Sequence, residues 1–300
     1  MVWTILSILC IVMLICIAVV LFESHRECKR LRLTKYVVES ERLPADFDGY
    51  RIAVLADLHN AVYPGGSQDV IELVKEQKPD IALLAGDMIV CRSDMRDENM
   101  KTGVFVRKLA DCVECYYGFG NHEMGISAGI RGVGSMWSEY LDILNQGREK
   151  AVCLLDNETV ELSRGNSVIR ITGLNLDMSY YKRIMAKKLG KDALEGMIGT
   201  SSRSAYNILI AHNPDYFETY AAWGADLVVS GHNHGGLVRI PGLGGVISPR
   251  LRIFPKYDYG VYHKGSSTMI LSGGMGAHSL KIRVNNRPEL ILVELCKKQG

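Results

Sequence analysis

Five short polar clusters punctuate the chain, each just after an apolar run. They are Asp57-Leu58-His59, Gly86-Asp87, Gly120-Asn121-His122-Glu123, His212-Asn213 and Gly231-His232-Asn233-His234. Taken singly, an Asp-x-His, a Gly-Asp or a lone His at a strand end is ordinary turn chemistry. Gly-His-Asn-His is sharper, because two imidazoles two positions apart can face one ion. The five together, running from residue 57 to residue 234, are hard to assign to turns alone. Imidazole suits Zn, Fe, Ni or Cu, and carboxylate oxygen also suits Mn, so this mixed nitrogen and oxygen set fits transition metals. Two such ions about 3.5–4 Å apart could polarise a phosphoryl group and bind an activated water. One carboxylate would bridge them, offsetting their mutual repulsion, and an Asn amide oxygen could ligate without adding charge.

Elements must carry these clusters to one place. Strands are expected at 50–56, 80–85, 114–119, 168–172, 207–211, 227–230, 268–272 and 290–294, from their aliphatic and β-branched content and flanking turn residues. Helices are expected at 67–77, 102–110, 135–145, 182–189 and 215–223. This alternation favours layered α/β packing in one compact domain. In open α/β sheets ligands bind at the carboxyl ends of strands, which is where the clusters fall.

The N-terminus is different. From Val2 to Phe22 only Thr4 and Ser7 are polar and none is charged, enough for a helix crossing ~30 Å of hydrocarbon. A cleaved signal peptide would show a positive leading region and a small-residue cleavage site, and neither is present. A retained transmembrane anchor over 1–22, a connector over 23–48 and a domain over 49–300 are therefore expected. Arg26, Lys29, Arg30, Arg32 and Lys35 follow the span, diluted by Glu23 and Glu27, and place the domain on the cytoplasmic face of a cell membrane, single-pass. These charges could equally sit among head groups on either face. Cys10, Cys16, Cys28, Cys91, Cys112, Cys115, Cys153 and Cys296 form no dense framework, in keeping with a reducing compartment. The lone Cys112-x-x-Cys115 lacks the second pair of a zinc site and is read as structural. A net charge of +2 gives no case for nucleic acid, and none is expected as a partner.

The ordered set DLH, GD, GNHE, HN and GHNH resembles the calcineurin-like metallophosphoesterase family. Residues 232–244 (HNHGGLVRIPGLG), 254–260 (FPKYDYG) and 273–290 (GGMGAHSLKIRVNNRPEL) resemble its membrane-linked bacterial branch. The resemblance runs from about Tyr50 to the C-terminus. It implies a layered αββα sandwich and a metal-dependent phosphoric ester hydrolase holding two divalent ions, Mn, Zn or Fe. Asp57, His59 and His234 would hold one ion, and Asn121, His212 and His232 the other, with Asp87 shared. His122 would face the substrate phosphate, protonating the leaving oxygen or stabilising charge. Glu123 could orient His122 or be a hydrogen-bonded turn residue. The expected reaction is in-line attack on phosphorus by a hydroxide held between the ions, assisted by His122. Where the family often has an acidic residue after Gly-Asp, this chain has Met88-Ile89-Val90, which removes no ligand.

The anchor favours a lipid-linked or head-group phosphate, as in the UDP-2,3-diacylglucosamine pyrophosphatases this branch includes, over a freely diffusing one. Lys182, Arg183, Lys187, Lys188 and Lys191 could rest on anionic head groups or form a solvated helix face. Gly125–Gly134 is a candidate mobile cap, His278 a candidate substrate contact, and His25 and His263 interfacial or surface residues. A protein phosphatase or nuclease on the same centre is the alternative enzyme. A tethered, non-catalytic scaffold would be expected to lose ligands or His122, and the sequence keeps them all. Oligomeric state is not specified.

Overall fold

The computed structural model describes residues 1–146, 152–236, 238–240, 242–247, 253–277 and 282–298, so His278 lies outside the described residues. Helix α1 (Val2–Cys28) leads into β1 (Arg32–Ser40) and β2 (Tyr50–Leu55), then α2 (Gly66–Glu76), β3 (Ile81–Ala85) and α3 (Arg96–Ala110). Next come β4 (Glu114–Gly118), α4 (Asn121–Ser127), α5 (Gly134–Asn145), β5 (Cys153–Leu155), β6 (Thr159–Arg164) and β7 (Ser167–Leu174). The chain continues through α6 (Lys191–Ile198), β8 (Tyr206–Ala211), α7 (Phe217–Trp223), β9 (Leu227–Ser230), β10 (Val238–Ile240) and β11 (Gly244–Ile247). It closes with β12 (Gly260–Lys264), β13 (Ser267–Leu271) and β14 (Glu289–Lys297).

Two mixed sheets stack face to face, one in the order β1-β14-β2-β3-β4-β5 and the other β12-β13-β9-β8-β7-β6. Their central strands are nearly continuous aliphatic runs because both faces are covered. The two-residue period sorts the side chains. Ile52, Val54, Ile81 and Leu83 meet Ile208, Ile210, Val229 and Ile270 between the sheets. The alternate residues Ala53, Leu55, Ala82 and Leu84 lie under α2, α3 and α5. Leu209, Val228, Met269 and Leu271 lie under α6 and α7. The result is the expected αββα sandwich. Strands β2, β3 and β4 run parallel in one sheet, and β8 and β9 run parallel in the other. Their carboxyl ends share one edge of the sandwich. There Gly118 lets the sheets close together, since a Cβ on it would lie 2.4 Å from Ile210 Cγ2.

Two expectations change. The stretch 23–48 is structured rather than a connector: α1 continues to Cys28, and β1 pairs in parallel with β14 from Arg32↔Glu289 to Ser40↔Lys297. Arg32 consequently leaves the cationic flank, its guanidinium 3.1 Å from the buried Glu289 carboxylate. Residues 182–189 form no helix. Tyr180, Tyr181 and Leu189 are buried at the ends of an irregular segment in which Ile184 and Met185 are exposed, so a helix there would have little apolar surface to bury. The basic residues lie in and just after this segment, and the helix begins only at Lys191. The 125–134 stretch is not an open loop at its ends, because its first residues complete α4 with Gly125 and Ile126 buried and Val133 is buried before α5.

Gly118→Ala should wedge the sheets apart and destabilise the fold by about 1–3 kcal/mol. The measurement is the denaturant midpoint in detergent micelles, and an unchanged midpoint would show that the sheets do not approach this closely.

Candidate metal centre

Each of these polar residues sits one to three residues beyond a strand: Asp57 after β2, Asp87 after β3, Asn121 after β4, His212 after β8 and His232 after β9. Leaving a strand so abruptly requires unusual backbone. Asp57, His59, Asp87, His232 and His234 all have positive φ, between 45° and 75°. Asp, Asn and His tolerate this region better than most residues, yet five such positions in one place mark a functional site.

Hydrogen bonds tie the turns together. Asp57 N–H donates to Gly86 O and His59 N–H to Asp87 O. Asp57 in turn accepts the His232 N–H at 2.9 Å, and Asp87 Oδ1 accepts the His122 N–H at 2.8 Å. The segment after β13 closes the edge, with Gly276 N–H donating to Asp57 O. It must come this close, because a Cβ on Gly274 would lie 2.9 Å from Asp57 Cβ and 3.1 Å from His234 Nδ1.

The side chains gather as overlapping donor groups. Asp57, His59 and His234 offer ligand atoms within 4.8 Å of one another, and so do Asp87, His212 and His232, while His59, Asp87 and His122 form a third such set. Asp87 Oδ2 lies between the groups, 3.7 Å from His59 Nε2 and 3.1 Å from His212 Nε2. Asp57 Oδ1 also reaches across, 3.2 Å from His234 Nε2 and 3.7 Å from His212 Nε2.

Ring orientation decides which nitrogens can ligate. His212 Nδ1 lies 2.7 Å from Ala85 O and His234 Nδ1 lies 3.2 Å from Gly276 O. A carbonyl only accepts, so both Nδ1 atoms carry protons and both Nε2 atoms face inward as lone pairs when the rings are neutral. His212 Nε2 and Asn121 Oδ1 are fully buried with no hydrogen-bond partner among the described residues. An unpartnered amide oxygen, and an imidazole nitrogen directed only at buried carboxylates, are what a cation site leaves behind, so these residues fit divalent ions. His122 differs. Its Nδ1 accepts the Cys91 N–H at 2.7 Å, which puts the ring proton of the neutral tautomer on Nε2 and removes the lone pair a metal needs.

Of the two roles open to Glu123, the structure shows the hydrogen-bonded turn residue. Its fully buried carboxylate accepts the N–H groups of Asp87 at 2.7 Å, Met88 at 2.8 Å and Gly120 at 3.0 Å, and the Tyr117 hydroxyl at 2.6 Å. It thus locks the Gly86-Asp87 turn to the start of α4 rather than orienting His122. Tyr181, unmarked in the sequence, packs edge to face against His232 with ring centroids 5.1 Å apart. Cys112 is exposed and Cys115 buried on β4, while His25 and His263 lie away from the cluster on α1 and β12.

Charge in this edge is strongly coupled. Burial works against ionising Asp57 and Asp87, but His234 beside Asp57 and His212 beside Asp87 hold both carboxyls below the usual range. Burial likewise opposes charge on His212, and Asp87 outweighs it, raising the ring from 6.5 to about 10. Without a cation the His212–Asp87 pair therefore stabilises the fold fully between about pH 4 and 6.5, and that contribution is lost as pH rises towards 10 and again in stronger acid, as Asp87 takes up a proton.

A family model described as calcineurin-like phosphoesterase matches residues 50–236. The chain is 27% identical to the metallophosphoesterase YkuE of Bacillus subtilis over 91% of this chain and 88% of that one. It is 28% identical to phosphodiesterase YaeI of Escherichia coli over 82% of each chain. It is 26% identical to the UDP-2,3-diacylglucosamine pyrophosphatase LpxG of Chlamydia trachomatis over 73% of this chain and 74% of that one.

Divalent metal should displace the proton held by His212, so uptake at pH 7 should release protons. Titration calorimetry with Mn²⁺ in two buffers of different ionisation heat should give different apparent enthalpies. Equal enthalpies would rule out a protonated His212 in the metal-free site.

Proposed function

The chain belongs to the calcineurin-like phosphoesterase family and is a metal-dependent phosphoester hydrolase, and from that premise we propose that it is a membrane-anchored enzyme cleaving a phosphodiester or pyrophosphate in a lipid-linked substrate. The observation that carries the reading is the pair of donor groups meeting at Asp87. Asp57, His59 and His234 would hold one divalent ion and Asn121, His212 and His232 a second, with Asp87 between them. Such ions polarise phosphoryl oxygens and acidify an attacking water.

The protein's own groups do the rest. Ala85 O and Gly276 O fix the rings of His212 and His234 so that Nε2 points inward. Glu123 fixes the turn that presents Asp87. His122, with Nδ1 engaged by Cys91 N–H, has its proton on Nε2 to donate to a phosphoryl oxygen or to the departing group.

Support for a membrane-borne substrate comes from α1. It is long and apolar enough to cross a membrane, and its Val2–Phe22 stretch lies entirely on the surface of the protein. The helix then docks on the domain through Ser24 and Glu27, which are buried, so a bilayer around α1 would lie close to the catalytic edge. The similarity to a UDP-2,3-diacylglucosamine pyrophosphatase points to the same substrate class. Lys29 and Arg30, exposed at the end of α1, support a cytoplasmic domain.

Asp87→Asn should lower Mn²⁺-dependent hydrolysis of bis-p-nitrophenyl phosphate about a hundredfold or more and weaken metal uptake. His122→Ala should lower turnover by ~10²–10⁴-fold while metal uptake persists. Near-normal turnover in the first variant, or lost uptake in the second, would contradict these roles. Membranes bearing the protein should release product from a lipid-linked pyrophosphate faster than from a soluble analogue, and the reverse order would exclude the lipid substrate.

A further inference from the structure

The last turn of α1 is joined to the metal centre by unbroken hydrogen bonds. Ser24 and Glu27 lie three residues apart on one face of the helix and are only 2% and 8% exposed. Ser24 Oγ accepts the Arg283 N–H at 2.9 Å, and Glu27 Oε2 accepts the Asn286 N–H at 3.0 Å. Arg287 Nε adds a bond to Arg30 O just beyond the helix. A carboxylate is costly to bury without donors, so Glu27 is informative.

The two residues held by the helix both turn inward. Asn286 Nδ2 donates to His234 O at 2.7 Å and to Gly236 O at 2.6 Å. The Arg283 guanidinium is 2% exposed and donates to Asn286 O and Gly274 O at 3.1 Å and to Gly276 O. Gly276 O is also the acceptor for His234 Nδ1. One route, Glu27 to Asn286 to His234, fixes the backbone of that histidine. The other, Ser24 to Arg283 to Gly276, fixes its ring.

We infer that the end of the membrane helix is a working part of the metal centre, with Ser24 and Glu27 acting as positioning residues that set His234 through Asn286 and Arg283. Metal affinity then depends on how the anchor is seated. The inference rests on the reading of His234 as a metal ligand. Membrane attachment and catalytic competence become linked, because a helix end pulled from its seat loosens the carbonyl and the amide that aim this ring.

The test uses the whole chain in membranes, reading equilibrium Mn²⁺ binding directly, without substrate, beside the Mn²⁺ concentration for half-maximal hydrolysis of bis-p-nitrophenyl phosphate, and the two should shift together. Glu27→Ala should raise that concentration about tenfold, in the range seen when groups that orient metal ligands are removed. Ser24→Ala should raise it less, with turnover at saturating metal falling less than affinity in both. Glu27→Gln keeps an acceptor oxygen for Asn286 N–H and should restore half-saturation to near the wild-type value. Wild-type half-saturation in both alanine variants would overturn the inference, as would equal weakening in Glu27→Gln and Glu27→Ala. Should Glu27→Ala fail to fold, Ser24→Ala carries the test. His234→Ala separates this inference from its premise: if it leaves metal activation intact, the ligand assignment fails whatever the anchor variants do.

Discussion

Three carboxylates, Asp57, Asp87 and Glu123, are buried within one edge of the sandwich, and the surrounding structure is arranged around the cost of that charge. An isolated buried carboxylate is strongly disfavoured, so each must collect donors or cations. Glu123 is satisfied by backbone N–H groups and a tyrosine hydroxyl. Asp57 and Asp87 each accept one ligand-loop N–H and otherwise face histidine rings. Their remaining demand for positive charge falls where the unpartnered Asn121 amide oxygen and the His212 imidazole nitrogen also point. The proton that Asp87 holds on His212 meets part of that demand in the metal-free protein, and divalent ions would meet more of it.

The fold supplies this geometry by bringing parallel strand ends from two sheets to one edge. Parallel neighbours present their carboxyl ends on the same side, so β2, β3 and β4 deliver their turns together, and β8 and β9 deliver theirs from the facing sheet. The His212 contact with Ala85 O joins the end of β8 to the end of β3 and fixes one sheet's polar cluster against the other's. The left-handed turns at Asp57, His59, Asp87, His232 and His234 cost local strain. Interlocking hydrogen bonds hold them, since the Asp57 carboxylate restrains His232, the Asp87 carboxylate restrains His122, and Glu123 restrains Asp87.

The central strands were legible because burial on both faces demands uninterrupted aliphatic residues, and the clusters were legible because ligand chemistry limits residue type. What escaped has a common cause. Edge strands such as Thr159–Arg164 and Gly260–Lys264 carry polar residues towards solvent, so their composition does not separate them from loops. Arg32–Ser40 was read as a connector because its Arg, Lys and Glu residues looked like a membrane flank, whereas pairing with the C-terminal strand makes it part of the sheet. The 182–189 segment carried helix-forming residues, but helix propensity is a weak prior against missing tertiary support. Glu123 was visible as a neighbour of His122, yet two of its partners are the Asp87 and Met88 N–H groups more than thirty residues earlier in the chain, which no side-chain pattern records.

The early strand also bears on how the anchor can act. Only residues 29–31 separate α1 from β1, and β1 pairs along its whole length with β14, which begins just after the loop that receives Ser24 and Glu27. Helix end, edge strand, loop and final strand therefore form a closed circuit, with no flexible tether at the point of attachment. A long tether would let the domain sample many orientations and meet soluble phosphates freely. A closed circuit would instead fix the direction from which a bilayer around α1 met the polar edge. Under the proposed lipid-linked reading, substrate preference would then be set partly by where a phosphate could lie relative to the membrane surface, before any contact with Asp87.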